Sequence, residues 1–285
     1  SPNDINLSIK SSSRLGEPSY SNPEESSYRY SRNLVEQNVL EPLAQYLSDQ
    51  TFLLETFPFF FNGHDHLELD DSIRPRGRVY HMTDSLYEHT HLMYGHWPSG
   101  QNTPNTSLEV AIDSLGSELL ALGVGDTMNI SPVQDGNDWP QLTAKIVSVF
   151  ARTDPNNEFW YGTKRTFSYK SDETAVVPLF TTENAIEQLM TNTYPGLQSE
   201  MMWFFYTDRQ NIRAKDLTSI QASLDKVQKD VLRGIKNSRV IINLDKVLAS
   251  YETKVLLARI PAFLLISLTT GILIYYLALA STLVA

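Results

Sequence analysis

The feature that constrains this chain most is its C-terminal run. "IPAFLLISLTTGILIYYLALASTLVA", residues 260–285, contains no charged side chain. A helix rises 1.5 Å per residue, so about 20 apolar residues cross the roughly 30 Å hydrocarbon core of a bilayer. Inside lipid a helix satisfies all of its own backbone groups, and globular helices of this length normally keep a polar face. The run therefore predicts a transmembrane helix over residues 260–285.

Two other interpretations of this end of the chain stay open. A tail anchor would leave the rest of the chain in the cytosol. A lipid-anchor signal would place a small residue such as Ser250 before a short spacer and a hydrophobic tail. Here the tail is longer than in such signals, and the spacer "YETKVLLAR" continues a helical pattern. At the other end, "SPN" is neither an initiator Met nor a signal peptide, which indicates a piece of a longer protein.

The composition excludes several classes of function. The chain has 285 residues, enough for one large domain or two modest ones, and its 41% hydrophobic content is typical of a folded protein. The net charge of −10 argues against a nucleic-acid partner, because phosphate binding needs a basic surface. The absence of cysteine excludes disulfides, a thiolate nucleophile and a zinc site built on sulfur.

Two similar β-α-β patterns flank the middle of the chain. In the first, "DINLSI" is strand-like, "SSSRLGEPSYS" is loop-like, and "TFLLETFPFFF" is an aromatic strand. Between them, residues 22–49 predict a helix capped by Asn22, with a kink or break at Pro42. In the second, "TAVVPLF" and "EMMWFFYTD" predict strands on either side of the helix "TTENAIEQLMTNT", which Thr181 or Thr182 would cap.

The strongest helical pattern follows the second unit. Its apolar residues recur at spacings of three and four and face a polar side of Ser, Gln, Asp and Lys: Leu217, Ile220, Leu224, Val227, Val231 and Ile235. We expect this face to pack on a sheet, because the pattern is too short for a coiled coil. Residues 243–259 then predict an amphipathic helix that leads directly into the uncharged run, so a signal could pass along it as along a stiff lever.

The middle of the chain predicts shorter elements. "RGRVYHMT", "HTHLMYG", "LEVAID", "DTMNISP" and "QLTAKIVSVFAR" predict strands, "SLGSELLALG" a short helix and "TDPNNEFWYG" a turn-rich loop. This stretch has apolar residues of its own and could fold as an inserted subdomain. Phe159, Trp160 and Tyr161 lie in the loop, where exposed aromatic side chains would suit contact with a partner.

All six histidines fall between residues 64 and 96. His64 and His66, like His89 and His91, alternate and would share one strand face, so with nearby carboxylates they could bind zinc. However, the chain has no H-E-x-x-H, and "HDHLELDD" departs from the HxHxDH spacing of metallo-hydrolases. The sequence therefore predicts polar strand faces and no metal, and it leaves metal binding by these four residues, and with it a membrane-anchored metal hydrolase, as an open alternative.

Other catalytic patterns are missing as well. No G-x-S-x-G elbow is present, and the paired carboxylates lie in polar stretches, where they are solvated charges. No G-x-x-x-x-G-K-[ST] is present, so the chain does not bind ATP through a P-loop. The sequence thus predicts a protein that is not an enzyme and holds no cofactor.

"LEVAIDSLGSELLALGVGDTMNI" followed by "LTAKIVSVF" resembles the extracytoplasmic domain of MacB/FtsX-like ABC transporter permeases. Residues 110–112 match the first strand of that pattern, residues 122–127 its "vGDt" turn and residues 146–149 its last strand. Ser148 stands where the family usually has Gly. "HLMYGHWPSG" is similar to a second family segment, with His96 where Arg is usual.

The resemblance implies an α+β fold in which a porter-like β-α-β subdomain is split by an inserted mixed α/β subdomain. The halves would span residues 1–71 and 174–242, the insert residues 72–173, the juxtamembrane helix 243–259 and the transmembrane helix 260–285. Residues 1–259 would then lie outside the cell membrane. The alternative from another class is a membrane-tethered sensor or ligand-binding ectodomain without an ATPase partner.

The resemblance also implies partners and mechanical residues. ATP would be bound by a separate ATP-binding subunit, and two permeases would form a homodimer or heterodimer in the lipid bilayer. Gly123, Gly125 and Asp126 would form a structural turn in which Gly125 takes a positive φ and Asp126 accepts hydrogen bonds from backbone amides just beyond it. Lys254 and Arg259 would couple the lever helix to the membrane surface.

Overall fold

The computed structural model describes residues 5–62, 75–82, 85–99, 107–133, 139–160, 167–170, 175–207, 211–242, 260–261, 263–277 and 279. The described strands are β1 (Ile5–Arg14), β2 (Leu47–Thr56), β3 (Phe59–Asn62), β4 (Arg76–Gly77), β5 (Val79–Met82), β6 (Thr90–Gly95), β7 (Ser107–Asp113), β8 (Thr127–Pro132), β9 (Leu142–Arg152), β10 (Tyr169–Lys170), β11 (Ala175–Val176), β12 (Leu179–Phe180), β13 (Gln198–Thr207) and β14 (Ser238–Ile242). The α-helices are α1 (Ser27–Val35), α2 (Glu41–Leu43), α3 (Ser85–Glu88), α4 (Ser114–Leu120), α5 (Thr191–Thr193) and α6 (Leu217–Gly234).

The strands form one large mixed sheet. Their order is β10-β11-β4-β3-β8-β9-β7-β12-β5-β2-β13-β1-β14, and β6 pairs with β9 outside this path. The pairs β4/β11, β5/β12 and β7/β9 are parallel, whereas the remaining pairs are antiparallel. Helices pack against this sheet, so the α+β class predicted from the sequence is confirmed.

Strands from both ends of the chain lie together at one side of the sheet. β1 is flanked by β13 and β14, and β2 follows on the far side of β13. Leu7 pairs with Ile242, near the start of β1 and at the end of β14. β1 therefore begins at the end of the sheet where β14 ends. The proposed division at residues 71 and 173 stays a prediction. β3 lies in the first of the three proposed segments but pairs with β4 and β8, which lie in the second.

Helix α6 has the buried face that its sequence predicts. Leu217, Ile220, Leu224, Val227 and Val231 are all buried in the core. The helix contacts β14, α1 and the π-helical stretch Glu36–Leu40. Burial of one apolar stripe against other elements is what stabilises a helix of this kind in water.

The first helical region differs from its prediction in its N-terminal cap and in the course of the chain near Pro42. Its cap is Ser26, whose Oγ accepts a hydrogen bond from the Arg29 backbone N–H (3.3 Å) in the place predicted for Asn22. Near Pro42 the chain does not break. Instead it passes through the π-helical stretch Glu36–Leu40, where the Glu41 N–H donates to the Glu36 carbonyl. A wider helical turn accommodates Pro42, whose ring has no N–H to donate and crowds the preceding turn.

Three strands also differ from the sequence predictions. β1 continues to Arg14 through "SSSR", which its composition predicted as loop. The single strand predicted for "TFLLETFPFFF" is divided at Phe57 and Pro58 into β2 and β3, which pair with different neighbours. β14 was not predicted at all, and its partner β1 lies more than 200 residues away along the chain.

The C-terminal segment is helical where it is described. Residues 260–261, 263–277 and 279 are helical and exposed, and the Ser267 and Thr270 hydroxyls donate to carbonyls of the same helix. Within the described part of the chain, no helix is both long enough and apolar enough to cross a membrane. The span over residues 260–285 thus stays a prediction, and the lever helix with Lys254 and Arg259 falls outside the described residues.

Candidate functional site

The turn recognised in the sequence connects α4 to β8 and is built on backbone geometry. Gly125 has φ +98°, a conformation that residues with a side chain rarely adopt, so the predicted positive φ is confirmed. Its N–H donates to the Ile146 carbonyl (2.8 Å), and the Ile146 N–H donates to the Asp126 carbonyl (2.9 Å). The turn is therefore fastened to the middle of β9.

The Asp126 carboxylate closes the same turn from the other side. Its Oδ2 accepts a hydrogen bond from the Gly123 N–H (2.8 Å), and the Asp126 N–H donates to the Gly123 carbonyl (3.2 Å). We expected this carboxylate to bind amides beyond it in the chain, but its partner precedes it by three residues. Asp126 is exposed and serves the shape of the turn.

The two segments that carried the family resemblance meet on β9. Next to the turn, the His96 N–H donates to the Val147 carbonyl (3.1 Å). Gly95 has φ +82°, and a Cβ there would lie 2.0 Å from the Val147 carbonyl oxygen, so only glycine fits. Ser148, where the family usually has Gly, is fully buried, and its Oγ has no hydrogen-bond partner among the described residues.

The predicted partner contact at Phe159 and Trp160 is wrong for these two residues, because both side chains are buried. The Phe159 ring stacks on His89 with 4.1 Å between ring centroids, and the Trp160 Nε1–H donates to the Asp154 carbonyl (2.9 Å). Both rings belong to a second apolar cluster together with Phe167. Tertiary packing thus covers a loop that looked exposed in the sequence. Tyr161 lies outside the described residues.

The histidines do not converge where they are described. His89 packs on Phe159, while His91 is exposed on β6. His64 and His66 lie outside the described residues. In the described ranges, no group of three or more His, Cys, Asp or Glu side chains could hold a metal ion.

Sequence reasoning missed a partly buried polar cluster between α1 and the start of the helix that leads to α5. Glu183 accepts a hydrogen bond from the Tyr28 hydroxyl (2.6 Å) and forms an ion pair with Arg32. The His81 Nε2 lies 3.7 Å from the other Glu183 carboxylate oxygen. Tyr28 and Arg32 are one helical turn apart, but nothing in the sequence indicates their partner more than 150 residues away.

The charges in this cluster shift its ionisation. Burial alone would raise the pKa of Glu183, but hydrogen bonds from Arg32 and Tyr28 outweigh it and hold the pKa below its ordinary value. Burial, and then the hydrogen bond to Glu183, raise the pKa of Tyr28. The cluster therefore keeps Glu183 ionised and Tyr28 protonated, which suits a structural tie between two helices.

A second missed feature is the buried carboxylate of Asp113. It caps α4 by accepting from the Gly116 N–H (3.0 Å), and it also accepts from the Ser168 N–H (3.0 Å) and the Ser168 hydroxyl. Caps of this kind satisfy free amides at a helix start. Here one side chain also ties α4 to the segment before β10.

The chain was compared with family models, with curated proteins and with solved structures. No family model matches the chain, and no curated protein matches it. Among solved structures, the chain is similar to the periplasmic region of MacB from Actinobacillus actinomycetemcomitans, with 9% identity, a TM-score of 0.40, and 87% of this chain and 94% of that chain covered.

Two further solved structures are of the same kind. The extracellular domain of the noncanonic ABC-type transporter YknZ from Gram-positive bacteria has 8% identity and a TM-score of 0.42, with 83% of this chain and 100% of that chain covered. A domain of a putative permease protein from Porphyromonas gingivalis has 9% identity and a TM-score of 0.34, with 84% and 88% covered.

Proposed function

We propose that the chain is the extracytoplasmic domain of a permease subunit of a MacB/FtsX-like ABC transporter. One observation carries the proposal: Leu7 pairs with Ile242, so both ends of the folded region leave the sheet together. A domain held between two membrane helices needs such an arrangement, and the uncharged segment 260–285 follows one of these ends.

In this proposal the chain itself is not catalytic and holds no cofactor. A cytoplasmic subunit binds and hydrolyses ATP, and the resulting motion passes through the membrane helix and residues 243–259 to the sheet. Lys254 and Arg259 act where this lever meets the membrane surface, because long cationic side chains near a helix end can keep their charged groups in the interface. The moving domain then expels, extracts or releases a substrate, or activates a partner, outside the membrane. Two permeases work as a pair.

The turn at Gly125 supports a mechanical role. It fastens the α4–β8 connection to β9 with backbone hydrogen bonds, and no reacting group is placed there. A load applied to the sheet would be shared by these backbone bonds and by the hydrogen bond from the Gly123 N–H to the Asp126 carboxylate.

The absence of cysteine allows a direct test in cells. In Tyr20→Cys the new thiol replaces a side chain that is 84% exposed. A membrane-impermeant maleimide added to intact cells should label this variant, and the cysteine-free parent is the matched control. Labelling only after lysis would contradict the proposal.

A membrane-tethered sensor or ligand-binding ectodomain is the second candidate, and the observation that favours it is a polar crevice of about 640 Å³ beside the end of β1. ATP separates the two candidates. In membranes that also contain the ATP-binding subunit, ATP on the cytoplasmic side should change the labelling rate of Tyr20→Cys for a permease. For a sensor without such a partner the rate should stay constant.

A further inference from the structure

A crevice opens at the end of β1 that lies opposite to the pair Leu7 and Ile242. The end of β1, the loop after it and the connection from α6 to β14 form its walls. Its main cavity of about 640 Å³ adjoins a second one of about 310 Å³, and both are lined by Ser12, Ser13, Glu17, Lys236 and Asn237. The two cavities thus share one wall, made by the end of β1, Glu17 and the connection to β14.

The backbone edge of β1 is open at this crevice. On one side β1 pairs with β13 as far as Arg14 and Gln198, but on the other side its pairing with β14 ends at Ser11 and Ser238. Ser12 and Ser13 therefore have a neighbouring strand on one side only among the described residues. An open strand edge pairs readily with another extended chain. A small ion or solute could not pair with the backbone N–H and C=O groups along this edge as an extended chain does.

The charges around the crevice are positive, although the chain as a whole carries −10. Residues 231–242 contain Arg233, Lys236 and Arg239 and no Asp or Glu. Arg14 and Lys236 line the main cavity, are exposed, and form no salt bridge with a described residue. Glu17 is the one carboxylate among the described lining residues, and its Oε2 accepts from the Arg14 backbone N–H (3.2 Å).

We propose that this crevice binds an extended, carboxylate-bearing peptide segment of a partner protein. The segment adds to the open edge of β1 at Ser12 and Ser13, and the side chains of Arg14 and Lys236 hold its carboxylates. Tyr20 and Tyr30 line the smaller cavity and offer a surface for an apolar side chain of the same segment. This binding site does not depend on the transporter assignment.

Binding of blocked octapeptides to the full chain tests the proposal. The probe is a fluorescently labelled peptide of alternating Glu and Thr, and its counterpart alternates Lys and Thr. We expect the acidic peptide to bind and the basic peptide not to bind. Arg14→Ala and Lys236→Ala should each weaken binding by about tenfold, the usual effect of losing one hydrogen bond to a charged group. Lys215→Ala, which removes an exposed lysine away from the crevice, should leave affinity unchanged.

The outcomes separate the parts of the proposal. No binding of the acidic peptide, or binding that neither variant weakens, would overturn it. Free glutarate that displaces the peptide at the peptide's own concentration would show that a lone carboxylate suffices, and this would overturn the peptide assignment. Both substitutions are at exposed side chains, so circular dichroism melts should match the parent. If one of them prevents folding, Arg14→Gln or Lys236→Gln provides the same test.

Discussion

At the scale of single residues, the clearest case is Gly125 in the turn on β9. A Cβ at this position would meet no atom within 4 Å, so any cost of substitution comes from the backbone at φ +98°. We expect Gly125→Ala to destabilise the protein by about 1–3 kcal/mol, the usual strain of a side chain in this region. The urea midpoint of unfolding measures this loss.

Gly123 provides the matched control in the same turn. A Cβ there would lie 4.0 Å from the Asp126 Oδ2, an ordinary contact, and the residue has no positive φ. Gly123→Ala should therefore change the urea midpoint much less than Gly125→Ala. Equal losses in both variants would mean that the turn does not depend on the positive φ of Gly125.

The lowered pKa of Glu183 predicts a dependence of stability on pH. A carboxyl whose pKa is lower in the folded state than its unfolded value of about 4.3 stabilises the fold at neutral pH, and this contribution is lost as the pH falls through the folded pKa. We expect Glu183→Gln to lower the urea midpoint near neutral pH. The difference between the variant and the parent should shrink as the pH falls below about 4.3 and disappear once the pH is below the folded pKa.

Tyr28→Phe tests the cause of this shift. It removes the hydrogen bond from the Tyr28 hydroxyl to Glu183 and keeps the ion pair with Arg32. Its loss of stability near neutral pH should therefore be smaller than that of Glu183→Gln. If the urea midpoint of Glu183→Gln fell between neutral and acidic pH as much as that of the parent, another carboxyl would cause the dependence of stability on pH.

At the scale of elements, helix α6 should respond to substitution according to its faces. Ile220 is fully buried, so Ile220→Ala should cost about 2–5 kcal/mol, the range for an apolar core side chain cut to alanine. Leu232 on the same helix is 49% exposed, and Leu232→Ala should stay within about 0.5 kcal/mol. Thermal unfolding by circular dichroism compares the two. Similar losses would contradict the assigned face.

The elements that could be predicted from the sequence are those with a strong local pattern. The buried face of α6 follows from its 3.6-residue period, and β7 and β9 follow from their β-branched runs. β14 was missed although Val240, Ile241 and Ile242 are β-branched, because this run has only three residues and its partner β1 lies at the other end of the described chain. The extension of β1 through "SSSR" is also non-local, since these polar residues form a strand through pairing with β13.

The candidate site shows the same division. The positive φ of Gly125 could be predicted, because the residue type itself allows it. The burial of Phe159 and Trp160 could not, because it depends on His89 and on rings brought in from other strands. The cluster around Glu183 joins residues far apart in the chain, so only the folded structure reveals it.

At the scale of the whole molecule, the two ends of β1 lie beside different features. β1 begins and β14 ends beside the pair Leu7 and Ile242, and the cationic crevice lies at the other end of β1. Leu7 and Ser13 are six positions apart on β1, so about 20 Å of extended strand lies between them. If the proposed membrane helix moved the domain at the end near Leu7 and Ile242, the crevice at the other end would move with it.

The central claim, that residues 260–285 hold this domain on a bilayer, is tested most directly by flotation of the full chain with phospholipid vesicles. The account predicts that the protein floats with the vesicles and stays with them after an alkaline carbonate wash, because an uncharged helix of this length inserts into the hydrocarbon core. A chain that stays at the bottom of the gradient, monomeric without detergent, would contradict it.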